Sequence, residues 1–310
     1  YARAFARDFF FTVNHYWLER YHVDGIRYDC VPNYWDGSIG LGYANLVFQT
    51  YQAVAARQTD PAWQRFFSND RFNLIQGAEQ LEAPREVVET TYSNCTWQNE
   101  TLSAFGGVAQ GHGSALTDLG FHLGLEGYPA ETSHNDDILP KSAFQYLENH
   151  DHSRFICHFG IRDLYQGKVV EGDRDRWYKT QPYAIALLLA KGIPLLWEGQ
   201  EIGESYVVPY TGFARIGRLR PVRWEYFYQD QGRGLIRLYR RLLSLRKQFS
   251  LFRRGDYYFH NNRDQWQGRG LLLFSRSEGG AYALVALNFT DTDITTGFFF
   301  PRTGTYQELL

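Results

Sequence analysis

The stretch HVDGIRYDCVPNYWDG, residues His22–Gly37, decides the fold that this sequence predicts. It begins as a short apolar run that ends on Arg27 and Asp29, and a loop with proline and aromatic residues follows. Residues two apart on a strand share a face. If Ile26 and Tyr28 face a layer of helices, the two charged side chains point together to the other side. The segment therefore predicts a strand that ends on an arginine–carboxylate pair, in which the guanidinium keeps the carboxylate ionised.

Two further runs along the chain end in polar or acidic residues. The run IQGAE ends on Glu79, and the run ENHD brings Asn149, His150 and Asp151 together. Short strands that alternate with helical stretches are typical of parallel β/α units. In a β/α barrel the chemistry lies at the carboxyl ends of several strands. The pattern therefore predicts an α/β fold whose acidic residues gather at one edge of a parallel sheet.

The rest of the chain predicts helices and then a β region. A helix is predicted from Ala4 to Tyr21. Its apolar stripe consists of Phe10, Val13, Trp17 and Tyr21. Leu235–Phe249 predicts a strongly amphipathic helix. After Gly255, short alternating strands and turns predict an antiparallel sheet. We therefore expect two domains, residues 1–254 and residues 255–310.

The composition argues against several classes of protein. The 310 residues include 44% hydrophobic and 21% charged residues, and the net charge is −2. This balance predicts no nucleic-acid partner and no membrane partner, and no apolar run reaches the ~18 to 20 residues of a membrane span. Three widely spaced cysteines predict neither a disulfide framework nor a zinc site. Aromatic residues reach 17%, which suits stacking on sugar rings.

Three carboxylates at strand ends, in the order Asp, Glu, Asp, resemble glycoside hydrolase family 13, the α-amylase superfamily. DGIRYD resembles the family's nucleophile segment, IQGAE its acid/base segment, and ENHD with Arg154 its third-aspartate segment. PLLWEGQEIGE resembles the segment that closes the last barrel strand. The resemblance implies a (β/α)8 TIM barrel, of which this chain covers about strands 4–8, followed by a small antiparallel β-sandwich domain.

The resemblance also implies roles for individual residues. Asp29 would be the nucleophile, Glu79 the general acid/base and Asp151 the stabiliser of the transition state. Arg27 and His150 would assist in the substrate site. A retaining glycosidase needs an ionised carboxylate and a protonated one about 5 to 5.5 Å apart. We therefore expect that distance between the first two carboxyl groups, and a less cationic environment around Glu79 than around Asp29.

Further residues are predicted to bind substrate. Asn149 can hydrogen-bond sugar hydroxyls beside its histidine and aspartate neighbours, and the candidate stacking platforms are Tyr34, Trp35 and Trp97. Each residue also has a structural alternative. The Arg27–Asp29 pair alone could merely position a strand, and a single histidine or aromatic side chain is more often part of a core. The ordered set of three acids favours the catalytic interpretation.

Two features of the family pattern are absent from this sequence. The family's earlier segment, an aspartate and an Asn-His at the end of the third strand, has no counterpart here. We therefore expect the N-terminal half of the barrel as a partner, from the same polypeptide or from a separate chain. After Asp29 the sequence reads CVPN, where calcium-binding amylases have a small residue and Lys-His. Calcium is therefore doubtful, and we expect no cofactor and no metal.

The predicted function is hydrolysis of α-1,4-glucans, such as starch, glycogen or maltooligosaccharides, with retention through a covalent glycosyl-aspartate. Branching enzymes and other glucanotransferases share this intermediate and are the first alternative. A catalytically silent glucan-binding or transport-associated relative is the second. The presence of all three acids favours an enzyme over a catalytically silent relative. The sequence leaves the compartment open, with the cytoplasm slightly favoured.

Overall fold

The structure, a computed structural model, describes residues 1–68, 71–164 and 169–310. These residues form two compact units. The first comprises Tyr1–Gln98 and Gly127–Phe144, and the second comprises Asn99–Glu126 and Gln145–Leu310. Within the described residues, no helix has the length and the apolar character that crossing a membrane requires.

The first unit is built around a parallel sheet. Its elements are α1 (Ala4–Arg20), β1 (Gly25–Tyr28), α2 (Tyr43–Ala55), β2 (Phe67–Ser68), β3 (Arg71–Phe72), β4 (Ile75–Ala78), α3 (Pro84–Thr90), β5 (Cys95–Trp97), β6 (Glu131–His134), β7 (Asp137–Pro140) and β8 (Ser142–Gln145), the last residue of which belongs to the second unit. Short 3₁₀ helices cover Val31–Asn33 and Pro61–Phe66. The pairs β2–β3 and β6–β7 are antiparallel.

Within the first unit, the strands of the parallel sheet have the order β1-β4-β5-β8. Its register pairs Arg27 with Gly77 and Gly77 with Cys95. A Cβ at Gly77 would lie 3.1 Å from the Phe144 ring and 3.2 Å from the Cys95 sulfur, so glycine there permits the close approach of its neighbours. Because the strands are parallel, their carboxyl ends lie at one edge. The predicted strand runs before Asp29 and Glu79 are therefore confirmed as adjacent strands.

Helix α1 forms as predicted, but its apolar stripe does not face the unit. Phe10 and Trp17 are exposed, whereas Asn14 and Leu18 are buried. The Asn14 amide donates to the hydroxyl groups of Tyr28, 2.9 Å away, and Thr50, 3.0 Å away, so a polar contact anchors the inner face. Hydrophobic periodicity locates an apolar face on a helix, but it does not tell which element of the fold packs against that face.

The second unit contains the remaining helices and an antiparallel sheet. Its elements are α4 (Asn99–Ala109), α5 (Ala115–Leu123), β9 (Ile161–Leu164), β10 (Val169–Gly172), α6 (Gln181–Leu189), β11 (Ile193–Pro194), α7 (Phe213–Gly217), α8 (Asp230–Gln248), α9 (Leu251–Arg254), β12 (Asp256–Phe259), β13 (Leu271–Glu278) and β14 (Ala281–Asn288). Its 3₁₀ helices cover Phe155–Phe159, Arg174–Thr180, Gln200–Ile202, Trp224–Tyr228 and Gln267–Arg269.

The amphipathic helix predicted near the C-terminal region is confirmed as α8. Its buried face includes Leu235, Leu242 and Leu245, which pack in one hydrophobic core with Leu187 of α6. Burial of such side chains contributes roughly 1.5–3 kcal/mol each. Two arginines, Arg237 and Arg241, lie among the exposed residues of the helix, which accounts for its amphipathic sequence.

The antiparallel sheet after Gly255 is also confirmed. Its order is β12-β13-β14, and β13 pairs with β14 from Leu271↔Asn288 to Glu278↔Ala281. Leu272 and Phe274 of this sheet join the same core as α6 and α8. The fold therefore combines a parallel sheet and helices with a C-terminal antiparallel sheet. The domain boundary at residue 255 and a second sheet of a sandwich stay predictions.

Candidate active site

The first part of the site lies where β1 and β4 end. Asp29 directly follows β1, and Glu79 directly follows β4. The main chain fixes the two ends side by side, since Glu79 N–H donates to Tyr28 O at 3.0 Å and Val31 N–H donates to Glu79 O at 3.0 Å. The two carboxylates thus emerge at the same edge of the sheet because the strand pairing continues by one residue beyond each strand.

Arg27 lies between the two carboxylates. Its Nη1 is 2.5 Å from Asp29 Oδ1, and its Nη2 is 2.7 Å from Glu79 Oε2. The same guanidinium stacks on the Trp97 ring, with Cζ 4.6 Å from the ring centroid. The Asp29 side chain is 75% exposed and the Glu79 side chain only 11%. An accessible carboxylate therefore lies next to an enclosed one, and a single cation orients both.

Cys30 adds a second contact to the enclosed carboxylate. Its φ of 47° places it in the left-handed region, which is uncommon for a residue with a Cβ. In this conformation its N–H donates to Glu79 Oε2 at 2.8 Å. The Arg27 guanidinium contacts Glu79 as well as Asp29, so this contact does not distinguish the two carboxylates, and a less cationic environment around Glu79 stays a prediction.

The aromatic residues predicted as stacking platforms surround this edge. The Tyr34 hydroxyl donates to Asp29 O at 3.2 Å, and the rings of Tyr34 and Trp35 pack edge-on against Tyr43. Burial raises the pKa of Tyr34 well above its ordinary value, which keeps the phenol a donor. Trp97 is buried and its ring contacts Arg27. Tyr34 and Trp97 therefore contact the end of β1 that carries Asp29, Trp35 packs beside them on Tyr43, and the contact of all three with sugar stays a prediction.

A second group of predicted site residues, the Asn-His-Asp run, lies on a turn in the second unit. Asn149 is buried, and its Oδ1 accepts the Asp151 N–H at 2.9 Å and lies 2.7 Å from His152 Nδ1. Asn149 thus shapes the turn through its own side chain. β8 ends at Gln145, so these residues follow the strand after a short connection.

His150 and Asp151 are half-buried neighbours on this turn. His150 Nε2 is 3.5 Å from Asp151 Oδ2, and Arg215 Nη2 is 3.8 Å from Asp151 Oδ1. The His150 ring packs against Trp197 at 6.0 Å between centroids. Arg220 Nε donates to His150 O at 2.5 Å. The aspartate is therefore held between a histidine and an arginine in a position that solvent can reach.

A buried charge pair lies beside this turn, and the sequence, which pointed to Arg154, did not identify its pairing with Glu148. Arg154 forms an ion pair with Glu148, and both side chains are essentially fully buried. Arg154 also donates to Glu198 O at 2.9 Å and to the Tyr206 hydroxyl at 3.3 Å. Burial raises the pKa of Glu148 above its ordinary value, and Arg154 opposes that shift. The signal in the sequence was two opposite charges that flank the Asn-His-Asp run.

The Tyr206 hydroxyl connects this pair to His150. It accepts the Trp197 Nε1–H at 2.6 Å as well as the Arg154 donor. Trp197 in turn packs on the His150 ring. The Tyr206 hydroxyl therefore contacts Arg154 directly and the turn that carries His150 through Trp197.

The predicted site residues thus form two groups, one in each unit. The first group comprises Arg27, Asp29, Glu79, Tyr34, Trp35 and Trp97, and the second comprises Asn149, His150 and Asp151. In the part of the chain that the structure describes, no three His, Cys, Asp or Glu side chains come together as a metal site. The absence of a cofactor stays a prediction.

A parallel β/α sheet with carboxylates at adjacent carboxyl ends is the arrangement that the sequence predicted. No family model matches the sequence. The pullulanase of Bacillus subtilis (strain 168) is 27% identical over 265 residues, which cover 81% of this chain and 34% of that protein.

Solved structures with the same fold are enzymes of the α-amylase type. A noncanonic maltogenic α-amylase from Thermotoga neapolitana matches 93% of this chain and 54% of its own, with a TM-score of 0.60 and 18% identity. A debranching enzyme from Nostoc punctiforme matches 93% of this chain and 51% of its own, with a TM-score of 0.63 and 17% identity.

The resemblance to the α-amylase superfamily is confirmed by these similarities. At the identities of the solved structures, the likeness establishes the fold. The chain spans about a third of the length of the curated relative and about half of the two solved structures.

Proposed function

We propose that this chain carries the catalytic residues of a retaining α-glucan hydrolase. The observation that supports the proposal most strongly is the Arg27 guanidinium between Asp29 and Glu79, at the ends of adjacent parallel strands. Retaining glycosidases require two carboxyl groups on either side of one glycosidic bond. An exposed carboxylate beside an enclosed one supplies two groups in different environments, which is what two different roles require.

Asp29 acts as the nucleophile in this proposal. Its exposed carboxylate attacks the anomeric carbon, forms an ester bond to it and displaces the glycosidic oxygen. The Arg27 guanidinium, fixed on the Trp97 ring, holds the attacking group in one orientation. Water then attacks the anomeric carbon and releases the sugar from Asp29.

Glu79 acts as the general acid and then as the base. It gives its proton to the leaving oxygen, and it later takes a proton from the attacking water. In the described residues, the contacts of its carboxyl group from Arg27 and Cys30 both fall on Oε2. We assign the transferred proton to Oε1. The predicted separation of about 5 to 5.5 Å between the carboxyl groups belongs to this proposal.

The residues of the second unit take their roles from the resemblance. Asp151 stabilises the positive charge of the transition state, and His150 binds sugar hydroxyls. Asn149 fixes the turn on which both lie, as its bond to the Asp151 N–H indicates. Tyr34, Trp35 and Trp97 are proposed to complete the substrate site, either by contact or by support of Arg27 and Asp29.

The candidate functions differ in the glycosidic bond that the protein cleaves. We favour α-1,4 bonds in starch, glycogen or maltooligosaccharides. Cleavage of α-1,6 bonds is a second candidate, because the curated protein that the chain is similar to is a pullulanase. Branching or another glucanotransfer would use the same residues and differ in the acceptor that attacks the Asp29 ester.

We also propose that the active protein contains further barrel strands, with this chain supplying about strands 4–8 of a (β/α)8 barrel. Two surfaces of the first unit support this. The apolar stripe of α1 with Phe10 and Trp17 is exposed, and in the described residues β1 is an edge of its sheet. Parallel sheets are normally covered and their edges paired. The additional residues come from the same polypeptide or from a separate chain.

The experiment uses the intact protein with soluble starch and with pullulan. Maltotriose released from pullulan supports the α-1,6 candidate, because pullulan consists of maltotriose units joined by α-1,6 bonds. New reducing ends from starch without release of maltotriose from pullulan support α-1,4 hydrolysis. A changed iodine colour with few new ends indicates branching. No change with either polymer would refute the enzyme assignment and favour a glucan-binding relative.

A further inference from the structure

Two cavities of the second unit adjoin at Tyr210. The first cavity, of about 860 Å³, is lined by His150, Asp151 and Arg215 together with Tyr210. The second cavity, of about 490 Å³, is also lined by Tyr210. Both volumes lie in the range of about 300–1,000 Å³ that ligand sites occupy. Tyr210 is 85% exposed, so its ring faces are available to a ligand that passes from one cavity to the other.

The lining of the second cavity is polar, and the charge of Arg154, which also lines it, is paired with that of Glu148. Asn99, Gln110, His152 and His158 lie along it. Burial lowers the pKa of both His152 and His158 below the ordinary value, so these rings are neutral around pH 7. Neutral imidazoles and amides combine donors and acceptors, as sugar hydroxyls do. The chemistry of this lining suits an uncharged polyol better than an anion or a cation.

The segment that carries Tyr210 is anchored beside the Asp151 turn. The Ser153 hydroxyl donates to Val208 O at 3.0 Å and accepts the Val208 N–H at 2.8 Å. Val208 is buried, and Pro209 has a fixed φ of its own and restricts the backbone of Val208 before it. Tyr210 therefore projects from a fixed base. A side chain that is placed before binding loses little freedom when a ligand stacks on it.

We infer that Tyr210 is a stacking platform that carries an α-glucan chain from the cavity of Asp151 into the second cavity. This rests on the proposed function and adds to it a binding site for sugar units remote from the reacting bond. The ring supplies an apolar face for one glucose unit. The amides and imidazoles of the second cavity bind hydroxyls of the units beyond it. The protein should consequently prefer long chains to short ones.

The experiment compares two ligands in the intact protein. Asp29→Asn provides a background that binds without cleavage, and calorimetric titration gives the Kd of maltotriose and of maltoheptaose. Adding Tyr210→Ala should weaken maltoheptaose about tenfold, which corresponds to the loss of one stacking contact, and should change maltotriose by less than about twofold. Tyr210→Phe keeps the ring and should restore the affinity. Tyr228→Ala, at an exposed tyrosine outside both cavities, is the matched control.

The outcomes separate this inference from the proposed function. Equal weakening of both ligands by Tyr210→Ala, or no weakening, overturns the stacking platform. The same holds if the protein binds neither ligand. If maltoheptaose binds and depends on Tyr210 while the unsubstituted protein cleaves no glucan, the binding site stands and the hydrolase assignment fails.

Discussion

Arg27 and Arg154 both pair with carboxylates, yet the two regions around them differ. Arg27 is at a half-exposed strand end, where it contacts Asp29 and Glu79. Arg154 is fully buried, and its partners are Glu148 and groups within the fold. Water and ligands reach the first pair but not the second.

The difference shows why residue type alone does not assign a role. A buried ion pair must repay the cost of leaving water, and its members stabilise the fold only together. An exposed pair contributes little to stability, so its geometry is free to serve chemistry. The comparison supports the chemical role proposed for Arg27 and its neighbours, and it gives Arg154 and Glu148 a structural role.

The largest expected effect is on turnover. Asp29→Asn should lower kcat on the order of 10⁴-fold or more, because an amide does not form the covalent ester. Its thermal unfolding midpoint should stay near that of the parent, since the side chain is exposed. Asp24→Asn is the matched control. The Asp24 side chain is as exposed as that of Asp29, but Asp24 precedes β1 and contacts Arg65. Substantial turnover in Asp29→Asn would overturn the nucleophile assignment.

The second effect is on stability. Arg154→Met should leave Glu148 buried without its cation and cost about 3–5 kcal/mol in the free energy of unfolding. Urea unfolding followed by circular dichroism measures the change. Arg162→Met is the control, because Arg162 pairs with Asp173 at an exposed position and should shift the midpoint little. Equal midpoints for the two variants would contradict the structural role of Arg154.

The third effect extends the comparison to a buried cation held by carbonyl groups. Lys141 Nζ donates to Thr91 O at 2.8 Å and to Ser93 O at 2.7 Å, and burial lowers its pKa to about 7. Above that pH the unfolded chain binds more protons than the folded one. The free energy of unfolding should therefore rise from pH about 7 to about 10, by at most about 1.4 kcal/mol per pH unit, and should level off below about pH 7, where both states bind the proton.

Unfolding at several pH values tests this contribution of Lys141. Lys141→Met should remove that part of the slope, whereas Lys247→Met, at an exposed position, should retain it. An unchanged slope in Lys141→Met would show that this amine does not account for the pH dependence.

The smallest effect tests the link between the buried arginine and the exposed turn. Tyr206→Phe removes the acceptor of Trp197 and Arg154 and should lower kcat/KM about tenfold through a less ordered His150. Tyr239→Phe also removes a buried hydroxyl, one bonded to Gln200, and should affect stability alone. If both variants lose activity equally, Tyr206 has no positioning role beyond general stability.

Several features could be predicted because they depend on local order. Alternation of side chains along a strand brought Arg27 and Asp29 to one face, and the amphipathic period of α8 marked its buried side. The antiparallel sheet after Gly255 followed from short alternating strands. These patterns need no knowledge of what packs against them.

Other features depend on partners that are distant in the sequence. The apolar stripe of α1 pointed outward, because hydrogen bonds from Asn14 to Tyr28 and Thr50 fix the opposite face. The sharing of Arg27 between two carboxylates required the register of β1 on β4. The sequence offered Asn149 as a substrate contact, and the fold uses its amide oxygen to close the turn.

By itself the sequence determined which residue types end the strands, and hence the class of fold and chemistry that this chain resembles. Only the tertiary structure decided which charges are exposed and which are buried. The reason is physical: an ion pair has the same residue types in water and in a core, but its desolvation depends on atoms brought together from elsewhere in the chain. That difference separates Arg27 from Arg154.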